Sequence, residues 1–336
     1  MTDTNLDWKN LSFGYIRTDF NIRSYFRDGA WTKPELTSDE TVTMHMAATA
    51  LHYGQEAFEG QKAFRGADGK IRVFRIDENA KRLRASADYL KMAMPPVELF
   101  TDMVRQVVRA NERFVPPYGT GASLYIRPVL FGTGPQVGVK PASEYLLIVF
   151  VTPVGPYYKE GFNPIRVIID RDHDRAAPLG TGHIKAGGNY GASLTSAEIG
   201  HEKGYPSVLY LDAKEKKHID ECGAANFFAI RDGRYITPKS HSVLPSITNM
   251  SLMTLAAEMG LQVEQRMVDY DELGTFDEAG TAAVISPIGS IYDPENGRTF
   301  AYNDGKPGPW CEKLYHKLRA IQYGEEPDTH GWMTVL

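Results

Sequence analysis

The stretch TGHIKAGGNYGASL, residues 181–194, sets one lysine among glycines. Gly180 and Gly182 precede Lys185, and Gly187, Gly188 and Gly191 follow it. Glycine admits close backbone approach and positive φ. A long amine presented from such a turn can reach a flat, bulky cofactor. It can equally be a solvated loop lysine, and the rest of the chain has to decide between the two. A helix is expected from about Tyr190 to His201, with Gly204 ending it.

Working outward, VGPYYKEGF (154–162) is punctuated by Gly and Pro and reads as a linker ahead of a strand, PIRVIID (164–170). This divides the chain into a smaller N-terminal domain, 1–153, and a larger domain, 163–336, that carries Lys185. In the first, TVTMHM (41–46) alternates like a strand and QKAFRGADGKIRVFR (61–75) reads as a hairpin turning at Asp68-Gly69. A helix follows with Asp77 as N-cap and Ala80, Leu83, Ala87 and Leu90 on its apolar face. Residues 97–114 form a second amphipathic helix, and strands follow at 122–131 and 144–152. The latter, EYLLIVFVT, is apolar almost throughout, as a strand buried on both faces would be. In the second domain, SVLYLD (207–212) with HIDECG (218–223), and NFFAIRDGRYITP (226–238), read as hairpins. A helix with Ser246 as N-cap runs to Gly260, LQVEQRMV (261–268) is a strand, and GTAAVISPIG (280–289) is a turn and a strand. The last helix starts near Pro309, and the tail HGWMTVL can fold back as a strand.

The 336 residues suffice for two ordinary domains. A net charge of −5, from 37 basic and 42 acidic residues, leaves no basic excess for a nucleic acid. Two cysteines, Cys222 and Cys311, build neither a disulfide framework nor a metal cluster, so a reducing cytoplasm is the expected compartment. The first ten residues, MTDTNLDWKN, lack the basic-then-apolar pattern of a secretory leader, and no apolar run approaches the ~18–20 residues of a membrane span.

A lysine that links to pyridoxal 5'-phosphate needs a carboxylate for the ring nitrogen, backbone N–H groups with an arginine for the phosphate, and a hydroxyl-type donor for the ring oxygen. Glu221, at a strand end beside Gly223, Ala224 and Ala225, is the best carboxylate, although a solvent-exposed turn glutamate reads the same. The helix N-terminus at Ser246-Ile247-Thr248 suits an anion, as does Gly280-Thr281-Ala282; routine capping accounts for these residues equally well. Arg75 ends the strand IRVFR, where a surface charge is as natural as a phosphate ligand. Other schemes do worse. There is no G-x-x-x-x-G-K-[ST] loop and no G-x-S-x-G, FGTGPQVG (131–138) has the wrong glycine spacing for a dinucleotide, and DRDHD (170–174) reads as solvated, so no metal site is expected.

Seven motifs in one order then carry a resemblance: LHYGQEAFEGQKAF (51–64), VFR (73–75), LYIRPVLFG (124–132), KAGGNYG (185–191), ECGAAN (221–226), LPSIT (244–248) and GTAA (280–283). From about Gly14 onward the chain resembles the branched-chain amino-acid aminotransferases of the fold-type IV pyridoxal-phosphate enzymes. The resemblance implies an α+β fold of two mixed α/β domains, D-amino-acid aminotransferase-like, with the active site between them. It implies transamination between L-leucine, L-isoleucine or L-valine and 2-oxoglutarate. Lys185 would be the Schiff-base lysine and proton-moving base, Glu221 the partner of the pyridinium nitrogen, and Tyr190 the donor to the ring oxygen. Arg75, Ile247, Thr248 and Thr281 would hold the phosphate. Tyr125 and Arg127 would receive the glutamate side-chain carboxylate, and the Ala282 N–H the substrate α-carboxylate. Tyr53, Phe58 and Tyr157 would wall the apolar pocket. In the family, the loop with Val137 and Val139 reaches a neighbouring subunit, which implies a homodimer.

Three departures stand out. Ala224 occupies a position where many relatives have threonine, Arg17 one where animal relatives carry an aromatic residue, and Ala283 and Ser286 replace the cysteine pair of some animal relatives. The alternatives are a D-amino-acid transaminase or aminodeoxychorismate-type lyase on the same fold, and a non-catalytic pyridoxal-phosphate binder. The Tyr125–Arg127 motif and FEGQKAF disfavour the former, and the complete set of catalytic groups disfavours the latter.

Overall fold

The computed structural model describes residues 4, 6–157, 162–282 and 285–336. Two units emerge from its contacts: Met1–Tyr157 with Ile184–Gly187 and Ala320–Leu336, and Tyr158–His183 with Gly188–Arg319. The four residues around Lys185 and the last seventeen therefore group with the N-terminal unit, where sequence placed both in the C-terminal domain. Residues 158–161 of the expected linker lie outside the described residues.

In chain order the strands of the first unit are β1 (Asn21–Arg27), β2 (Ala30–Trp31), β3 (Glu35–Thr37), β4 (Glu56–Phe58), β5 (Gln61–Arg65), β6 (Ile71–Phe74), β7 (Ser123–Gly132) and β8 (Tyr145–Val154). Its helices are α1 (Thr49–Tyr53), α2 (Ile76–Tyr89) and α3 (Val97–Ala110). The second unit holds β9 (Ile165–Asp170), β10 (Ser207–Leu211), β11 (Ile219–Cys222), β12 (Ala225–Arg231), β13 (Arg234–Pro238), β14 (Gln262–Arg266), β15 (Glu278–Ala282), β16 (Ile285–Asp293) and β17 (Arg298–Ala301). Helices α4 (Gly187–Ala192), α5 (Leu194–Glu202), α6 (Ile247–Glu258) and α7 (Pro309–Tyr323) follow one another along the chain, and β18 (Met333–Val335) ends it.

The first sheet runs β18-β6-β5-β7-β8-β1-β2, with β3 on β1 and β4 on β7. Inside it lies β8, whose apolar run is sandwiched between β7 and β1 as the composition demanded. α2 and α3 cover this sheet with Ala80, Leu83 and Ala87, and with Phe100, Met103, Val104, Val107 and Val108. In the second unit β11-β10-β9-β16-β15-β12 run side by side, and pairing of β11 with β12 closes these six strands on themselves. Closure leaves no open edge there and encloses a core of alternating inward residues, Ile169, Leu209, Phe227 and Ile291 among them.

Five local readings need correction. Residues 41–46 form no strand; their alternation meets no partner strand among the described residues. Arg75, not Asp77, caps α2, because buried Ile76 already lies in the first turn, while Asp77 pairs outward with Lys81 at 3.0 Å. The expected helix 190–201 is two, α4 starting at Gly187 and α5 beginning after Ser193, whose hydroxyl donates back to the Tyr190 carbonyl at 2.8 Å. The end of the expected helix 97–114 tightens into a 3-10 turn after Asn111. Gly280 is not in a turn but in β15, paired with Phe228 on one side and Pro287 on the other.

Asn111 shows how the first unit is locked. Its Oδ1 accepts the Asp19 and Phe20 amides at 2.9 and 3.0 Å, and its Nδ2 donates to the Phe20 and Val107 carbonyls at 2.9 and 2.8 Å. The side chain is fully buried and ties the end of α3 to the entry of β1. Asn111→Ala strands these backbone groups, so the urea midpoint should fall by the equivalent of about 2–4 kcal/mol; a midpoint within error of wild type would remove this tie from the stabilising set.

Candidate active site

The site groups of the first unit are built around residues 184–187. Ala186 bridges Ala57, the Phe58 amide donates to the Lys185 carbonyl at 3.1 Å, and the Lys185 amide donates to Ser86 Oγ at 3.0 Å. The lysine backbone is thus stitched to β4 on one side and α2 on the other. A Cβ at Gly187 would overlap the Glu56 carboxylate as it stands, so any larger residue there displaces that side chain.

The Lys185 amine lies 4.8 Å from the Phe58 ring centre, and the Arg127 guanidinium lies 4.8 Å from the same ring. Arg127 Nη2 donates to the Tyr125 hydroxyl at 3.0 Å, while its Nε is buried without a hydrogen-bond partner. A Cβ at Gly60 would collide with that Tyr125 hydroxyl, so a larger residue there pushes the tyrosine out of place. Phe13 makes T-shaped contacts with both Tyr125 and Tyr157, each at 5.1 Å, so it joins those two rings, while Arg127 lies against both Phe58 and Tyr125. Tyr53 is exposed, and its hydroxyl bonds the Val137 carbonyl in the loop where Val137 and Val139 stand 80% and 89% exposed.

A buried carboxylate, Glu59, lies beside the lysine. Arg82 grips it through Nε–Oε1 and Nη2–Oε2, both 2.8 Å, and Asn79 Nδ2 donates to Oε2 at 2.7 Å. Asn79, Arg82 and Ser86 recur at helical spacing, so one stripe of α2 serves both the lysine backbone and its charge environment. Arg75 begins that stripe, at the cap of α2 with φ 45°. Burial lowers the Lys185 amine from its ordinary 10.5 to about 8; Arg82 and Arg127 push the same way, against Glu59 and Tyr125.

The second unit assembles the other candidates. Glu221 and Asn226 face each other across the β11–β12 turn, where Gly223 has φ 46°. Asn226 Nδ2 donates to Glu221 Oε2 at 2.6 Å and to the Leu244 carbonyl at 2.9 Å, and the other Glu221 oxygen is ion-paired with buried Arg175. Glu221 is 2% exposed, which overturns the solvated-turn alternative. Asn226 Oδ1 in turn accepts from Asn249 Nδ2 at 3.3 Å, on α6. Ser246 caps α6 by accepting the Asn249 amide at 3.2 Å, and its hydroxyl donates to the Ala282 carbonyl at 2.5 Å. One network therefore joins Glu221, the α6 N-terminus with Ile247 and Thr248, and the end of β15 with Thr281 and Ala282. Thr281 is fully buried in β15, between Phe227 and Ser286. Tyr190 is half-buried on α4, which Asn189 anchors through its bond to the Thr181 carbonyl at 2.8 Å.

Glu59, Asn79, Arg82, Ser86, Arg175 and Asn226 escaped the sequence reading. The one available signal was a polar stripe at spacing 79, 82 and 86 beside the apolar stripe of α2; nothing local marks Arg175. Of the departures, Arg17 is an exposed partner of Glu40 at 3.1 Å, Ala224 is exposed, Ser286 is buried and Ala283 lies outside the described residues. Both cysteines are free and buried, and burial pushes both thiols up. No cluster of metal-binding side chains occurs among the described residues.

The first unit offers an amine of lowered basicity; the second offers a buried carboxylate held by two donors and a capped helix start whose first amides point out of the helix. Comparison with known proteins gives the family. Residues 56–291 match the family model described as amino-transferase class IV. The branched-chain-amino-acid aminotransferase of Haemophilus influenzae is 46% identical over 99% of both chains. The Escherichia coli branched-chain amino acid aminotransferase superposes with a TM-score of 0.79 at 27% identity, covering 94% of this chain and 98% of that one. The Helicobacter pylori branched-chain-amino-acid aminotransferase is 47% identical, over 98% of this chain and 97% of its own. A further solved branched-chain amino acid aminotransferase, holding pyridoxamine 5'-phosphate, gives a TM-score of 0.76 at 27% identity, covering 93% and 97%; the same enzyme was also solved with N-(5'-phosphopyridoxyl)-L-glutamate. The fold, the part-buried lysine, the buried carboxylate and these likenesses converge: the chain belongs to the class IV aminotransferases, and among them to the branched-chain amino-acid aminotransferases.

Proposed function

We propose that this enzyme passes the amino group of L-leucine, L-isoleucine or L-valine to 2-oxoglutarate, giving the branched 2-oxo acid and L-glutamate, with pyridoxal 5'-phosphate attached at Lys185. The observation that carries the substrate pair is the setting of Arg127: its guanidinium lies against the Phe58 and Tyr125 rings, and its Nε is buried without a hydrogen-bond partner. Apolar rings accept a branched side chain, and a guanidinium edge accepts the distal carboxylate of the second substrate. That one solved relative holds a cofactor–glutamate adduct supports the same pairing.

When bound, the cofactor supplies an electron-accepting ring that eases loss of the substrate Cα proton. The chain's own groups do the rest. Lys185 Nζ takes that proton and returns it; with its pKa near 8 a useful fraction is neutral at neutral pH, whereas at 10.5 almost none would be. Glu221, fixed by Arg175 and Asn226, holds the ring nitrogen's proton. Tyr190 donates to the ring oxygen. Arg75, Thr281 and the first amides of α6, at Ile247 and Thr248, hold the phosphate. The Ala282 amide takes the substrate α-carboxylate, Tyr125 and Arg127 take the distal one, and Tyr53 adds to the pocket wall. The partners are small amino and 2-oxo acids and further copies of the same chain. No helix among the described residues is long and apolar enough to cross a membrane, and the two free cysteines suit a reducing cytoplasm.

Borohydride reduction of the loaded enzyme followed by peptide mapping should place the cofactor on Lys185, and Lys185→Ala should lose both the cofactor's absorbance band and activity; a label on another lysine overturns the assignment. In the cofactor-free protein the amine should be acylated with a midpoint near pH 8. Its depressed pKa means that the folded state binds fewer protons than the unfolded chain between about 8 and 10.5. The cost of burying the ammonium is therefore complete below pH 8 and fades as pH rises. Lys185→Met should stabilise the cofactor-free protein most below pH 8 and progressively less toward pH 10, and a flat difference would contradict the shift. Arg127→Met should raise KM for 2-oxoglutarate about 10- to 100-fold while leaving KM for 4-methyl-2-oxopentanoate within about threefold; equal rises would remove Arg127 from the distal-carboxylate role.

A further inference from the structure

Arg75 sits between β6 and α2 with φ 45°, in the left-handed region that a residue with a side chain adopts only when its surroundings hold it there. What holds it comes from the far end of the chain. The Arg75 amide donates to the Trp332 carbonyl at 2.6 Å, and the guanidinium carbon lies 5.3 Å from the centre of the Trp332 ring. β18 continues from that point as the antiparallel partner of β6, Met333 opposite Phe74 and Val335 opposite Arg72. The indole is 9% exposed, meets the Phe74 ring edge-on at 6.0 Å and stacks on His330 at 4.2 Å. Asp328 fastens the approach, accepting the His330 amide at 3.2 Å and the Met333 amide at 2.6 Å.

We propose that Trp332 is a positioning residue for the cofactor phosphate: it fixes the backbone of Arg75 through one carbonyl and aims its guanidinium through the ring face. A guanidinium drawn over a ring by cation–π attraction keeps its N–H donors in its own plane, so it can still present a fork to an anion. Docking of the C-terminal strand is thereby part of assembling the phosphate site. The inference rests on the reading of Arg75 as a phosphate ligand.

The test compares binding of pyridoxal 5'-phosphate and of pyridoxal, which lacks the phosphate, to cofactor-free protein by equilibrium dialysis. In Trp332→Leu the preference for the phosphorylated form should fall about tenfold, with pyridoxal itself bound as by wild type. Trp332→Phe keeps bulk and a weaker aromatic face, and its preference should fall about two- to threefold, a readout that survives if the leucine variant does not fold. In an Arg75→Ala background either substitution should change the preference no further. Variants of Trp332 that weaken both ligands equally, or keep the wild-type preference, overturn the proposal while Arg75→Ala still lowers it. Should Arg75→Ala itself leave the preference intact, the phosphate reading of Arg75 fails, and the role of Trp332 with it.

Discussion

The reactive end of this enzyme depends on how a four-residue segment, 184–187, is fastened. A lysine side chain has four freely rotating bonds, and its amine would sample a large volume from a loose turn. Here the backbone on both sides of Lys185 is hydrogen-bonded, to β4 through Phe58 and to α2 through Ser86. The same helix supplies Arg82, which works against protonation of the amine, and Arg82 in turn grips Glu59, which works for it. The lysine's position is therefore set by one helix face and one short strand, and its basicity by burial together with charges on that helix, beside that strand and on β7.

The two units solve a shared problem in the same way. Each buries a carboxylate, Glu59 in one and Glu221 in the other, against an arginine and an asparagine. A buried ion pair adds little net stability, but loss of one partner leaves a desolvated charge behind at a cost of about 3–5 kcal/mol. Such pairs tolerate little movement. In the first unit the pair underlies the lysine; in the second it extends through Asn226 and Asn249 to the cap of α6 and, by way of Ser246, to the end of β15. Residues far apart in the chain are held in register by polar groups that cannot separate without leaving a buried charge or amide unpaired.

Several elements were legible from local pattern alone. The β5–β6 and β12–β13 hairpins turn where Asp-Gly pairs stand, with Asp232 and Gly233 both at positive φ. Ser246 caps α6, Gly260 follows it in the left-handed region, and the tail folds back as β18. Readings that failed were those in which a pattern lacked its partner or was preempted. Residues 41–46 alternate correctly but have no neighbouring strand among the described residues, and Gly280 and Thr281, turn-like by composition, are pulled into β15 by two flanking strands.

By itself the sequence determined most element types, the glycines that permit close approach around Lys185 and, through motif order, the family, and it nominated the groups that would react. It could do so because turns, caps and periodicity depend on residues a few positions apart. The tertiary structure alone decided what surrounds those groups: that Lys185 belongs with the N-terminal unit, that Arg82 and Glu59 tune it, that Arg175 holds Glu221, and that Trp332 meets Arg75 from the opposite end of the chain. These are contacts between residues tens to hundreds of positions apart, made specific by burial, where an unpaired charge or amide is costly and only the packed fold supplies its partner.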